Sequence, residues 1–453
     1  MTSKEIEGFG ALSLSELLDR LTSTYMISTS FAPQGMLAIR GKQTEQYNTN
    51  VLILIDGRPL RESFHGGYNG VIYSLFPINS LERIEIIRGP GSVLYGSNAY
   101  VGVINLITKK GTDNSIQGTV RYGSFNTFQG MVSVNKAIKD LEIALAVNAL
   151  QTDGWNFEAR GERDVIRNKK NTQDSVFKTP STIKRDNKGL GATLKIGYKG
   201  FTLNTFAATN EWSTMGRVTD WSLAPNPLTY KIQNNRLFTD LGYQAEVNKY
   251  WSVGANATYN HFDFRSFYPG QKDNLIFRES DDLLFEITNY IKPTDKINIV
   301  LGGLTNMQSG KGIQPDPTAK GKSFKVAEAA NSDPWVTVPY YDVIWNSAYL
   351  QADYSPIKLL KFVAGAQANK ITGFKTDFVP RLGVIITPTD NLGFKLLYGQ
   401  AFRAASAFER SSISLAYLLI ILVRAVILTV IVTMVRHLQK WLTQRQPLTL
   451  ILV

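Results

Sequence analysis

One rhythm constrains this chain more than any other feature. Segments in which apolar and polar residues alternate are joined by very short turns, and between successive turns lie long polar stretches. The turns are "AIKDLE", "YKGF", "NKYW", "KPTDKI", "SPIKLL" and "TPTDNL"; the long stretches run over roughly 151–189, 210–234, 263–280 and 309–344. The alternation has period two: in "LEIALAVNAL", Leu141, Ile143, Leu145, Val147 and Ala149 share one face. "LKIGY", "INIVLGGL" and "LGFKLLYG" repeat it. A soluble sandwich also alternates, but it has no reason to sort its loops by length. A transmembrane barrel does, because every strand crosses the same apolar band between tight turns on one side and long loops on the other. Strands of about ten residues suit a tilted crossing. Six tight turns predict about a dozen strands.

Composition narrows the rest. A chain of 453 residues exceeds one ordinary soluble core, so two domains or one large barrel are expected. The 20 tyrosines, 23 phenylalanines and 7 tryptophans suit interfacial girdles. No cysteine is present, which excludes a disulfide scaffold and a thiolate metal site, and His65, His261 and His437 are too scattered for a zinc site. The net charge of +12 raises the question of nucleic acid, but the surplus is split between residues 155–188 and the last forty-odd residues and forms no single stripe. A solvated basic loop, or attraction to anionic ligands or surface phosphates, accounts for it; no nucleic-acid partner is expected.

Residues 1–112 read differently, as a small α/β unit. "LSLSELLDRL" has a capping pair in Ser13 and Glu16 and an apolar face of Leu14, Leu17, Leu18 and Leu21, which predicts a short helix. "MLAIRG" and "VLILIDGRPL" are strands stopped by Gly41 and Gly57, with Val51 to Ile55 apolar throughout and therefore buried on both faces. Asp56 reads as a turn residue that hydrogen-bonds its own backbone, not a catalytic acid. In "LERIEIIRGPGSVLYGSNAYVGVINLITKKG", residues 81–111, the strand must end at Gly89, Pro90 and Gly91, and the chain turns again at Gly96. Gly91 and Gly96 have P-loop spacing, but Ser97 stands where that motif needs lysine, so nucleotide binding is excluded. No paired carboxylates, serine triad or metal cluster appears. Neither an enzyme nor a resident cofactor is expected.

These motifs resemble the plug domain of TonB-dependent outer-membrane receptors. That family's plug carries "IRG", "VLVLIDG" and "IERIEVIRGPASALYGSxAxGGVINIITK"; this chain has "AIRG", "VLILIDGRPL" and the thirty-residue match at 81–111. Gly91 replaces the usual alanine or serine. "YGQAFRAASAFER", 398–410, resembles a barrel segment usually written "FRAPSxxEL", with Ala405 where proline is common. The resemblance implies a plug inside a barrel of about twenty-two strands. It implies ligand capture at the outer face, uptake driven by the TonB energy-coupling complex, and placement in the lipid of the cell outer membrane. It also implies that Arg40 and Arg88, with Arg83 as a substitute, pair with barrel glutamates, since charges inside a barrel need partners. "RESFHGGYNGVIY", 61–73, is expected either to face the ligand through His65, Tyr68 and Asn69 or to be an internal turn. The expected ligand is a ferric siderophore. Cobalamin or haem is the alternative in the same architecture, haem being weakened by the lack of a histidine near an "FRAP…NPNL" pair. A membrane-anchored β adhesion or binding protein is the alternative outside it.

The sequence therefore predicts a mainly β chain: a plug over 1–112, a partial antiparallel barrel over 113–410 and an aberrant apolar tail over 411–453. Three departures from the family accompany this reading. "MTSKEIEGFGALSL" lacks a basic segment followed by an apolar run, so no signal peptide is read. No TonB box is seen, and the strands stop near half the family's number. The chain is thus expected to be a receptor truncated at both ends and inactive in transport by itself. In the tail, 413–435 carries only Arg424 as a charge and is long enough for a transmembrane helix. It reads either as an out-of-frame extension or as a genuine helical anchor.

Overall fold

The computed structural model describes residues 1–27, 35–39, 41–42, 47–89, 91–159, 165–166, 175–176, 181–183, 185–215, 229–267, 275–313, 337–389, 392–411, 425–434 and 448–452. Fifteen strands form one antiparallel sheet whose order follows the chain, from Ser115–Gly123 at one edge to Leu448–Leu452 at the other. Among the described residues the sheet does not close on itself. All six predicted tight turns are hairpins: Ile138 pairs with Leu141, Tyr198 with Phe201, Asn248 with Trp251, Thr294 with Ile297, Ile357 with Leu360 and Thr389 with Leu392.

Side chains alternate as the pattern requires. On Thr229–Asn248, Phe238 and Asp240 are buried while Leu241 and Tyr243 are exposed; on Leu275–Thr294, Asp282 and Leu284 are buried while Phe285 and Ile287 are exposed. The apolar exposed face suits lipid, and the opposite, more polar face receives the N-terminal residues. Two expectations change. Thr229–Asn248 and Leu275–Thr294 have 20 residues each and Thr337–Ile357 has 21, so strands run far into stretches read as loops. The rhythm also has exceptions, because only three residues separate Gly123 from Thr127 and five separate Ile371 from Asp377. The tail differs too. Where it is described, Ala425–Met434 and Leu448–Leu452 are strands added to the sheet edge, and no described helix is long and apolar enough to cross a membrane. Val426, Ile427, Thr429, Val430, Ile431, Val432 and Thr433 make this run rich in β-branched residues, which favours strand over helix.

The N-terminal unit sits against the polar face of the sheet. Its own four-stranded sheet has the order Arg58–Pro59, Val51–Ile55, Gly102–Thr108, Leu81–Arg88, with the middle pair parallel. Every residue of Val51–Ile55 is buried, as a strand covered on both faces must be. The helix Leu14–Asp19 starts at Ser13, whose Oγ accepts the Glu16 N–H, and buries Leu14, Leu17 and Leu18. The helix Gly70–Leu75 buries Val71, Ile72 and Leu75 in the same core. That core continues into the large sheet through Phe76, whose ring lies 5.3 Å from Phe206, and through Phe238.

The glycine-jointed stretch after Leu81–Arg88 makes one helical turn, Ser92–Tyr95, and reverses at Gly96. Gly96 has φ of +77°, and a Cβ there would lie 2.5 Å from Trp345 of the large sheet. Gly57 has a similar φ of +80° but open space around it. Gly96→Ala should therefore lower stability by about 1–3 kcal/mol more than the roughly 1 kcal/mol expected for Gly57→Ala, because only the first adds a clash to the strain. Thermal unfolding of both variants in detergent checks the difference.

Candidate functional site at the seam between inner unit and sheet

The hairpin "LIDGRP" carries the principal contacts. Asp56, with φ of +49°, and Gly57 are its two central residues, the geometry that Asp-Gly favours between paired strands. The turn points one charge of each sign at the large sheet. Asp56 accepts the Thr108 N–H at 3.0 Å and the Thr108 hydroxyl at 2.6 Å, and its Oδ1 lies 2.9 Å from Lys195 Nζ. The carboxylate thus serves the neighbouring strand and the large sheet, where the sequence suggested its own backbone.

Arg58 makes the stronger attachment. Its Nε lies 3.2 Å from Asp240, and its Nη1 donates to Glu286. Nη2 donates to Thr258 Oγ1 at 3.1 Å. The acids are held in turn: Asp240 accepts from Thr258 and Asn256, and Glu286 accepts from the Tyr349 hydroxyl. Burial pulls the Arg58 pKa down, and the two carboxylates more than offset this, leaving it raised.

Beyond the hairpin the chain stays against the sheet. Arg61 donates its backbone N–H to Asn260, and its guanidinium donates to the carbonyls of Ser97 and Tyr95 and lies 4.8 Å above the Trp345 ring. Arg236 donates to the Arg61 carbonyl, and Asp282 accepts the Ser63 N–H at 3.2 Å. Glu62 turns back into its own loop and accepts the backbone N–H groups of His65, Gly67 and Tyr68 at 2.7, 3.1 and 3.0 Å. Burial alone would raise the Glu62 pKa; His65 and the backbone donors outweigh it and bring the value to about 2.

The predicted site residues distribute as follows. His65 and Tyr68 come together against Phe262 of the sheet, and they and Asn69 are buried, at 1%, 3% and 3% exposure. Arg83 pairs with its neighbours Glu82 and Glu85 and is 42% exposed, and Arg88 donates to the Thr22 carbonyl; among the described residues neither reaches a carboxylate of the large sheet. Arg40 and Pro90 lie outside the described residues. Gly41, Gly57, Gly89 and Gly96 have positive φ, whereas Gly91 does not and instead packs closely on Val103. The residue that carries the ion pairing, Arg58, was missed. Its only signal was a charge next to an Asp-Gly turn in an otherwise apolar strand.

Comparison with known proteins bears on the family and the fold. Residues 1–103 match the TonB-dependent receptor plug domain, and residues 154–418 match the TonB-dependent receptor-like β-barrel. The chain belongs to the TonB-dependent receptor family. Among curated proteins it is 28% identical over 203 residues to the vitamin B12 transporter BtuB of Photobacterium profundum, a match covering 44% of this chain and 31% of that protein. The alignment therefore spans about a third of that relative's length. Among solved structures it resembles the ferric yersiniabactin uptake receptor FyuA of Yersinia pestis, with a TM-score of 0.64 and 12% identity over 96% of this chain and 69% of that one. It also resembles the ferric enterobactin receptor PfeA of Pseudomonas aeruginosa, with a TM-score of 0.64 and 15% identity over 90% and 62%. At such identities the likeness to solved structures is one of fold.

Two outcomes follow for the plug. Arg58→Met leaves Asp240 and Glu286 buried without their cation and should loosen the plug by about 3–5 kcal/mol; Arg58→Met with Asp240→Asn and Glu286→Gln should recover part of it. Denaturant unfolding followed by proteolysis of the plug reads both. Glu62→Gln should cost about 1–3 kcal/mol at neutral pH by weakening three hydrogen bonds to a charged acceptor. Because the folded pKa of Glu62 is depressed, its contribution is whole above the ordinary carboxylate pKa of about 4.3 and fades as pH falls toward about 2. A pH series of unfolding midpoints should show that acid limb in the parent and a weaker one in Glu62→Gln.

Proposed function

We propose that this chain supplies the gate and part of the wall of a TonB-dependent uptake receptor of the outer membrane, and that its ligand is a ferric siderophore. The observation that carries the reading is the buried attachment of the plug through Arg58 to Asp240 and Glu286. A pore filled by a domain bolted in this way opens only when work is done on the domain. Breaking one buried ion pair costs several kcal/mol. An energy-coupling partner acting on the plug supplies such work, and the TonB complex is the partner assigned.

Uptake belongs to the plug within a closed barrel, since only a closed barrel leaves no unpaired backbone in the bilayer. FyuA and PfeA, named as ferric siderophore receptors, support the choice of ligand through their common architecture. A corrinoid is the second reading, and the relative named as a vitamin B12 transporter favours it.

Binding of ferric enterobactin, ferric yersiniabactin and cyanocobalamin to outer-membrane vesicles carrying the receptor separates the two, with uptake measured in cells with and without TonB. Siderophore binding is expected, and TonB-dependent iron uptake wherever the sheet is completed into a closed barrel. Binding of cyanocobalamin alone would establish the second reading, and uptake that persists without TonB would overturn the assigned partner.

A further inference from the structure

His65 occupies a position that the ion pairs and the uptake reading leave unused. Its ring is 1% exposed and stands among Tyr47, Phe64 and Tyr68 of the plug and Phe262, Phe264 and Phe408 beyond it, with centroids 4.3 to 6.3 Å away. Two charged groups face it. Nη1 of Arg278, on Leu275–Thr294, lies 2.9 Å from Nε2, and Glu62 Oε1 lies 3.5 Å from Nδ1. The other titratable neighbours are Tyr47, whose hydroxyl is 3.4 Å from Arg278 Nη1, and Tyr68.

The chemistry fixes the tautomer. A guanidinium has only donors, so a hydrogen bond at 2.9 Å requires a lone pair on Nε2. The proton of His65 must then sit on Nδ1, toward Glu62. Arg278 is held in turn over the faces of Phe64, Phe264 and Phe408, at 5.9, 5.6 and 5.5 Å. One neutral imidazole thus links the Glu62-capped loop of the plug to a strand of the barrel wall.

We propose that His65 is an acid-released latch between the plug and the barrel strand Leu275–Thr294: neutral, it accepts the Arg278 hydrogen bond, and protonated, it expels the guanidinium. Protonation places an N–H on Nε2 against the N–H of Arg278, and two like charges then meet in a site with little water. The imidazolium keeps its attraction to Glu62 through Nδ1, so it stays with the loop and Arg278 must leave. Burial lowers the His65 pKa, opposed in part by Glu62 and reinforced by Arg278. A histidine with a depressed folded pKa contributes its stability above the ordinary value of about 6.5 and loses it as pH falls through the lower, folded value. The latch is therefore closed at neutral pH and opens in acid, below the ordinary histidine value of about 6.5.

The experiment uses the full chain in detergent micelles with 15N-labelled histidine. Three histidines give three rings to follow, and His65→Gln assigns the resonance that matters. The expected result is a ring with the proton on Nδ1 at neutral pH that titrates below the usual histidine range. Hydrogen exchange of the amides of His65, Gly67 and Tyr68, corrected for the intrinsic effect of pH, is followed from about pH 7.5 down through the titration of the His65 ring that the nitrogen-15 shifts report. Protection should fall several-fold in the parent. It should stay level in His65→Gln, whose amide oxygen can accept from Arg278 at every pH. A proton on Nε2 at neutral pH overturns the proposal without recourse to a variant. So does protection that does not change with pH in the parent, or that falls equally in His65→Gln.

Discussion

A guanidinium buried against the polar face of the large sheet has few places to go. The sheet is made of alternating strands, and an unpaired buried charge costs several kcal/mol. Arg58 meets this with two carboxylates from different strands and a threonine between them. Asp240 and Glu286 need it equally, since each would otherwise be a buried anion on the inner face. The position of the whole plug follows from that mutual need. The Asp-Gly turn sets the register of the hairpin, Arg58 sets its depth, and Asp56 with Lys195 steadies its other side. The aromatic contacts of Phe76 and Phe238 then fill the space this arrangement leaves.

The two faces of the large sheet divide the labour. Phe285 and Ile287 are outside, and Leu284 and Glu286 are inside, within four consecutive residues. A one-residue slip would present Glu286 to lipid and Phe285 to the plug, so the bolt also enforces register. Hydrophobic alternation alone would tolerate a slip wherever both faces carry similar residues. A paired charge does not tolerate it.

What the sequence revealed, and what it hid, follows from the range of the interactions. The six hairpins, the capped helix at Ser13 and the buried Val51–Ile55 strand depend on residues close in the chain, and each was readable. Arg58 lies 182 residues from Asp240 and 228 from Glu286, and nothing local marks either acid as its partner. Arg83 and Arg88 resembled the family pattern but find partners beside them or in a backbone carbonyl. Strand lengths were underestimated for a different reason. Toward the far ends of the long strands polar residues occupy both faces, as with Gln233 and Asn235 beside Asn234, so the period of two fades although pairing continues. The tail misled because a long apolar run without glycine fits a helix by length and a strand by composition.

The loop after the hairpin shows how a buried carboxylate can organise backbone without touching the barrel. Glu62 gathers three N–H groups that the turn at Gly66 and Gly67 leaves without strand partners. Gly67 is needed there, because a Cβ would lie 2.6 Å from the Asn48 carbonyl. The loop is therefore braced from within by Glu62 and from the wall by its outward contacts, through Ser63 to Asp282 and through His65 to Arg278. A plug built this way separates two tasks. Arg58 holds it in place, and the Glu62 loop presents a preformed surface to the strands on the side of the long connections.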